Sequence, residues 1–138
     1  MRGELGQLPS FTMSARPRLG CGRHVGRGLT ATEFGALHAF LPAVLAFAGD
    51  LGRARRLQDS CLRMWSLHGI EPEVLDYRKM EATYPGYPLR PEIIESAYYL
   101  YRYTKDPRYR EMGRTFFESV VARCRTDAGY TTLKNVVT

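Results

Sequence analysis

The sequence predicts an all-α chain built from two antiparallel helical hairpins, with a short β-strand or turn at its C-terminal end. Three observations carry this expectation. Four stretches place apolar residues three and four apart, the period of a helix with one buried side. Glycine and proline punctuate the boundaries of those stretches. The alternation of strands and helices that builds a parallel sheet is missing, as are GxGxxG, P-loop, HExxH and nucleophile-elbow patterns.

Residues 1–28 hold six of the thirteen glycines and two of the eight prolines, with no apolar period, and read as an irregular, mobile basic arm. From there the text changes, so the expected division is an arm over 1–28 and a helical domain over 29–138. Thr32 suits an N-cap, and Phe34, Leu37, Leu41, Val44, Leu45 and Ala48 follow at helical spacing, with a kink expected at Pro42. Gly49-Asp50 ends this helix. A second helix is expected from about Gly52 to His68, with Ala54, Leu57, Cys61, Met64 and Trp65 inward and Arg55, Arg56 and Asp59 in water; Gly69 stops it. Two helices and a tight turn make an αα-hairpin. Residues 70–90, with Pro72, Pro85 and Pro88, read as a long loop. A third helix begins at Pro91 and runs to about Thr104. Asp106-Pro107 opens the fourth, where Tyr109, Met112, Gly113, Phe116, Phe117, Val120, Val121 and Cys124 form one continuous stripe expected to be buried. Beyond Gly129, Tyr130 to Leu133 has the β-branched and aromatic character of a short strand.

Composition bounds the function classes. The 138 residues are 44% hydrophobic, 25% charged and 12% aromatic, which suits one globular domain. Twenty basic against fourteen acidic side chains invite a nucleic-acid reading, but five of the arginines lie in residues 1–28 against Glu4 alone. The excess belongs mostly to the arm, and no nucleic-acid partner is expected. Cys21, Cys61 and Cys124 are an odd number without a CxxC pair, so neither a disulfide framework nor a cysteine zinc site is encoded. The longest apolar run, Phe40 to Ala48, is about half the ~20 residues of a membrane span. No signal peptide is visible at the N-terminus.

The chemistry-bearing segment is Tyr87-Pro88-Leu89-Arg90-Pro91-Glu92-Ile93-Ile94-Glu95-Ser96. On a helix starting at Pro91, Glu92, Glu95, Ser96 and Tyr99 share one face. Acids in a first turn are ordinary helix capping, favoured by the positive end of the helix dipole. The functional reading adds what converges there: Arg90 just before the helix, an aromatic-rich loop leading in, and two carboxylates facing the same way. Carboxylates act as general bases or orient metal-bound waters, and an arginine fixes a carboxylate's rotamer. His38 and His68 have no companions and read as structural. The tyrosines at 98, 99, 101 and 103 read as packing between helices before they read as a sugar platform.

That segment, followed by Tyr98-Tyr99-Leu100-Tyr101, resembles the "LRPE…ES…YLYR" signature of class I α-1,2-mannosidases, glycoside hydrolase family 47. Three further stretches agree in order: Phe40-Leu41-Pro42 with the family's "FLPG" helix, Gly69-Ile70-Glu71-Pro72-Glu73 with its "G-x-x-PE" loop, and Gly129 to Val136 with its "GYSSINNV" hairpin. Asp50, Trp65 and the wording of the first motif resemble the ER degradation-enhancing mannosidase-like branch. The likeness covers roughly residues 33–138.

The resemblance implies that the two hairpins are a fragment of an (αα)7 barrel. It implies inverting hydrolysis of terminal α-1,2-linked mannose on high-mannose N-glycans, with Ca²⁺ as cofactor, during glycoprotein quality control in the endoplasmic reticulum. Glu92 matches a catalytic carboxylate, commonly the general base; Arg90 matches a substrate-binding arginine; Glu95, and Glu92 with it, match acids that hold the metal through water. The sequence also departs from the family. The general acid and a second aspartate would lie upstream of the matched region, and the threonine that ligates calcium would lie past Thr138. Ala36 stands where the family carries histidine or serine, Ala43 where it usually has glycine, and Ala39 where the processing enzymes carry a cysteine that bridges to a position close to Cys61. The expectation is therefore a chain that by itself has negligible turnover, with exposed apolar stripes where neighbouring helices of a ring would pack. A non-catalytic glycan- or partner-binding helical module is the alternative. A helical repeat scaffold is disfavoured because the two hairpins share no consensus.

Overall fold

The computed structural model describes residues 32–138, so the arm expected over 1–28 lies outside the described residues. The chain runs from strand β1 (Glu33–Gly35) through a 3-10 segment (Ala36–Phe40) into helices α1 (Leu41–Phe47) and α2 (Leu51–Ser66). Strands β2 (Val74–Asp76) and β3 (Glu81–Tyr84) follow, then α3 (Glu92–Thr104), α4 (Pro107–Cys124) and the hairpin β4 (Arg125–Thr126) with β5 (Gly129–Tyr130). The all-α class and the two helical hairpins are as expected, with short strands added between and after them.

The first helix differs from the expectation. Thr32 caps nothing; its carbonyl accepts the Tyr77 N–H at 2.9 Å and leads into β1. Pro42 does not kink a long helix but sits in the first turn of a new one, where its missing N–H has no intrahelical acceptor to lose. The gap between the 3-10 segment and α1 is filled from outside. The Ser96 hydroxyl donates to the Ala39 carbonyl at 2.6 Å and accepts the Ala43 N–H at 3.4 Å. In an unbroken helix that carbonyl and that N–H would bond to each other. One buried hydroxyl on α3 thus replaces a backbone bond on its neighbour.

The remaining helix boundaries follow local chemistry. Gly49 takes φ +80 and ends α1, and Asp50 caps α2 by accepting the Arg53 N–H at 2.9 Å. Gly69 takes φ +70 after α2. Pro91 stands at the N-cap of α3, and Lys105 in the left-handed region ends that helix. Asp106 accepts the Arg108 N–H at 3.1 Å and opens α4. The core gathers around Trp65, whose ring lies 4.7 Å from Phe116 and 6.3 Å from Tyr87, with Ile70, Ile93, Ala97, Leu100 and Cys124 buried beside them. Cys61 and Cys124 are buried free thiols. Buried Gln58 donates from Nε2 to the Ile93 carbonyl at 3.3 Å and ties α2 to α3. The stripe on α4 is interrupted: Tyr109, Met112, Phe116 and Cys124 are buried, but Phe117 is 59% exposed.

The expected loop over 70–90 contains structure. β1, β2 and β3 form an antiparallel sheet in that order, with Phe34 opposite Leu75 and Leu75 opposite Ala82. Asp76 makes the turn by accepting the N–H groups of Arg78 and Lys79 on its side chain and of Met80 on its carbonyl. The strands are only three or four residues long, and β1 pairs with a partner some 40 residues away, so no local alternation announces them. Tyr87 bridges to Leu133, which is where the expected C-terminal strand character is used. Leu37, Leu41, Val44, Phe47, Tyr98 and Tyr103 remain exposed along the 3-10 segment, α1 and α3.

Ser96→Ala is expected to lower stability by about 1–3 kcal/mol, because it leaves a buried carbonyl and a buried N–H unpaired. Urea unfolding measures this; an unchanged midpoint would mean the break before α1 needs no bridge.

Candidate active site at the start of α3

The first turn of α3 is positioned by the residue three places before it. Leu89 adopts φ +60, a left-handed conformation that costs a leucine roughly 1–2 kcal/mol. This turns Arg90 back onto Glu73, where Nε and Nη2 donate to the two carboxylate oxygens at 2.9 and 2.6 Å. Such a two-pronged contact fixes orientation as well as distance. Glu73 is itself anchored by its backbone: its N–H donates to Gly86 at 2.7 Å and its carbonyl accepts the Ala36 N–H at 2.9 Å. From the other side, the Tyr87 hydroxyl donates to the Arg90 carbonyl at 3.0 Å, while the Tyr87 backbone exchanges two bonds with Leu133. The guanidinium holds the Glu73 carboxyl below the ordinary carboxylate range, and the carboxylate in turn raises Arg90.

Glu92 is half-buried beside this clamp, and its Oε2 is enclosed without a hydrogen-bond partner. Glu71 is more deeply placed, 6% exposed, and its Oε2 is also unpartnered. Burial pushes the Glu71 carboxyl up to about 8, the charges of Glu92 and Glu73 push the same way, and Arg90 opposes them. At neutral pH Glu71 is therefore mainly a neutral acid beside a charged cluster. Burial likewise pushes the Cys61 thiol up to about 12.

The face expected to carry Glu92, Glu95, Ser96 and Tyr99 together divides. Ser96 turns into the core to bridge α1. Tyr99 packs edge-on against Phe40 and Phe47, with centroids 6.3 and 4.8 Å away. Glu95 is exposed and has no ion pair among the described residues. Arg90 and Glu92 are brought together; Glu95 is not brought with them. Glu71 and Glu73, which complete the cluster, were not among the residues picked from the sequence. The only signal was their place either side of Pro72 in a loop motif. His38 accepts the Gly35 N–H on Nδ1 at 3.0 Å, as a structural histidine should. His68 differs, since its Nε2 is enclosed without a partner.

An open groove of about 490 Å³ borders the clamp, bounded by Glu73, Tyr84, Tyr87, Arg90 and Lys134 among others. Calcium takes six to eight oxygen ligands. Among the described residues no group of three or more His, Cys, Asp or Glu side chains is placed to hold a metal ion. With Glu73 committed to Arg90 and Glu71 enclosed, these residues do not assemble a calcium site by themselves.

Because the folded-state value of Glu71 is raised, its contribution to stability is fully present below about pH 4.5 and is lost as pH rises towards about 8. Glu71→Gln is expected to match the wild type at pH 4 and to be more stable at pH 8, by at least about 1–3 kcal/mol, because the amide has no charge to bury. Melting curves from pH 4 to 9 test this; parallel curves for the two proteins would refute it.

The glycosyl hydrolase family 47 profile matches residues 12–138. The chain is 37% identical over 105 residues to alpha-mannosidase I MNS4 of Arabidopsis thaliana, covering 75% of this chain and 17% of that protein. It is 36% identical over 105 residues to ER degradation-enhancing alpha-mannosidase-like protein 2 of Homo sapiens, covering 75% of this chain and 18% of the other. Among solved structures, the α-1,2-mannosidase from Trichoderma reesei matches with a TM-score of 0.66 at 22% identity, over 78% of this chain and 28% of that one. The chain thus spans less than a fifth of the length of these two relatives. With the clamp and the acids of the LRPE segment in place, and the helical arc shared with a solved mannosidase, the chain belongs to glycosyl hydrolase family 47.

Proposed function

We propose that this chain is a segment of an α-1,2-mannosidase that removes terminal mannose from high-mannose N-glycans of glycoproteins, by inverting hydrolysis, in the endoplasmic reticulum. In this reading Glu92 is the general base and Arg90 contacts the sugar. The observation that carries it is the Glu92 Oε2, enclosed beside the Arg90–Glu73 clamp and free of any protein hydrogen bond. A buried carboxylate oxygen that no protein group satisfies is rare, and a place in catalysis is one of the few physical reasons for one. The names of the relatives, as mannosidases and ER degradation-enhancing proteins, support the substrate class and the compartment.

The chemistry follows from the carboxylate. Glu92 takes a proton from a water as that water attacks the anomeric carbon, and the leaving oxygen must receive a proton from a second acid on the opposite side of the ring. The neighbouring acids are poorly placed for that role: Glu71 is enclosed, Glu73 is held by Arg90, and Glu95 is turned to solvent. General acid assistance is worth roughly 10²–10⁴ in rate, so these 138 residues alone have negligible turnover. Calcium enters this reading as a need of the complete protein, to which Glu95 and Glu92 would contribute through water, and no step here passes through it.

Mannose release from a high-mannose glycan with calcium present tests both parts. The 138-residue chain is expected to release none above background. In a complete relative carrying residues 33–138 in place of its own segment, Glu92→Gln is expected to lower kcat by roughly 10²-fold or more. Robust release by the short chain, abolished by Glu92→Gln, would overturn its inactivity; an indifferent Glu92→Gln hybrid would overturn the general-base assignment.

A further inference from the structure

The chain enters α3 through a stretch that backbone bonding does not hold. Up to Tyr87 the path is pinned: the Pro85 carbonyl accepts the Val136 N–H at 2.9 Å, the Gly86 carbonyl accepts the Glu73 N–H at 2.7 Å, and Tyr87 exchanges two bonds with Leu133. From Pro91 the helix takes over, since the Pro91 carbonyl accepts the N–H groups of Ile94 and Glu95 at 2.9 Å. Between the two, Pro88 brings no N–H and Leu89 stands at φ +60. Among the described residues, no backbone-to-backbone bond reaches Pro88, Leu89 or Arg90. A side chain spans this gap instead. The Tyr87 hydroxyl donates to the Arg90 carbonyl at 3.0 Å and closes a ring over residues 87–90. Tyr87 is 1% exposed, with its ring edge-on to Trp65 at 6.3 Å, so the described residues by themselves enclose it. Burial pushes its phenol above the ordinary value, and charges at Glu71, Cys124 and Glu92 push the same way, which keeps the hydroxyl a donor.

We propose that Tyr87 is a positioning residue that acts through Arg90: its hydroxyl keeps Leu89 in the left-handed turn and so sets the direction in which the Arg90 side chain leaves the backbone. The Arg90–Glu73 contact fixes the guanidinium, but it grips the far end of a side chain with several rotatable bonds. Such a side chain can meet one carboxylate from more than one backbone path. The phenol grips the backbone itself. Left free, a leucine abandons the left-handed region, which crowds its Cβ against the following carbonyl. The guanidinium then loses its aim. Glu92 is less affected, because it belongs to a helix that packs on α1, α2 and α4 by its own side chains. The segment around Leu133 gains a part as well, since it holds the residue that holds Arg90. The consequence for turnover rests on the proposed contact of Arg90 with the sugar; the hold on the turn rests on geometry alone.

Arg90 can be read directly in the 138-residue chain. Solvent exchange of the Arg90 Nε–H, followed by heteronuclear NMR, is expected to be at least about tenfold faster in Tyr87→Phe, which keeps the buried ring and removes only the donor. Adding Leu89→Asn, a residue that tolerates the left-handed region, is expected to bring exchange back to within about threefold of the wild type. Lost packing at Tyr87 would not be repaired by that second change. In the hybrid with a complete relative, Tyr87→Phe is expected to raise KM about tenfold and to leave kcat within about threefold, the mark of lost uniform binding. Unchanged exchange in Tyr87→Phe overturns the proposal, and so does a double variant that exchanges as fast as the single one. Faster exchange with an unchanged KM supports the hold on Arg90 and overturns instead its contact with the sugar. Should Tyr87→Phe fail to fold, as circular dichroism would show, the wild type decides: a slowly exchanging Tyr87 hydroxyl proton supports the proposal, and a rapidly exchanging one overturns it.

Discussion

The two-pronged contact between Arg90 and Glu73 is the constraint on which the start of α3 depends. It joins segments far apart in the chain, because Glu73 is also bonded through its backbone to Ala36 and Gly86. Arg90 in turn is held at its carbonyl by Tyr87, which pairs with Leu133. Hydrogen bonds to charged groups contribute about 1.5–3 kcal/mol, enough to offset the left-handed conformation of Leu89 that makes the contact reachable. Strain of this kind in a non-glycine residue persists where the surroundings over-determine it. Around Arg90 they do, through Glu73 on its side chain and Tyr87 on its carbonyl.

The second constraint is a single hydroxyl. Pro42 breaks the run from the 3-10 segment into α1, and a broken helix inside a core would leave unpaired backbone groups. Ser96 bridges the break by donating to one side of it and accepting from the other. This gives α3 its role at the centre of the arc. It packs on α1, α2 and α4 and lends a polar atom where its neighbour needs one. It also means that the "ES" pair of the motif separates in function, with Glu95 facing water and Ser96 facing the core.

The cluster of Glu71, Glu73, Glu92 and Arg90 holds three acids and one base in a partly enclosed space. Burial above all, and then the charges of Glu92 and Glu73, push the Glu71 carboxyl up to about 8. Two enclosed carboxyl oxygens without partners are a cost to folding. Arrangements that cost stability and concentrate charge are characteristic of sites built for chemistry.

The sequence by itself determined the helices α2, α3 and α4 and set Arg90 and Glu92 side by side at the start of α3. Those features rest on short-range physics: apolar spacing, glycine at helix ends, Asp106 as a cap, and motif residues adjacent in the chain. It misread the stretch around Pro42 as one kinked helix and residues 70–90 as a loop, because the hydroxyl bridge and the β1–β2 pairing join residues roughly 40 to 60 apart, and the β2–β3 hairpin is too short to show a period. Tertiary structure alone decided that Glu73 clamps Arg90, that Glu71 is buried beside Glu92, and that Ser96 leaves the polar face of α3. Each is a matter of which side chain reaches an empty bond across the fold. Spacing along one helix can say which residues share a side, but the neighbour that side meets is set by the whole chain.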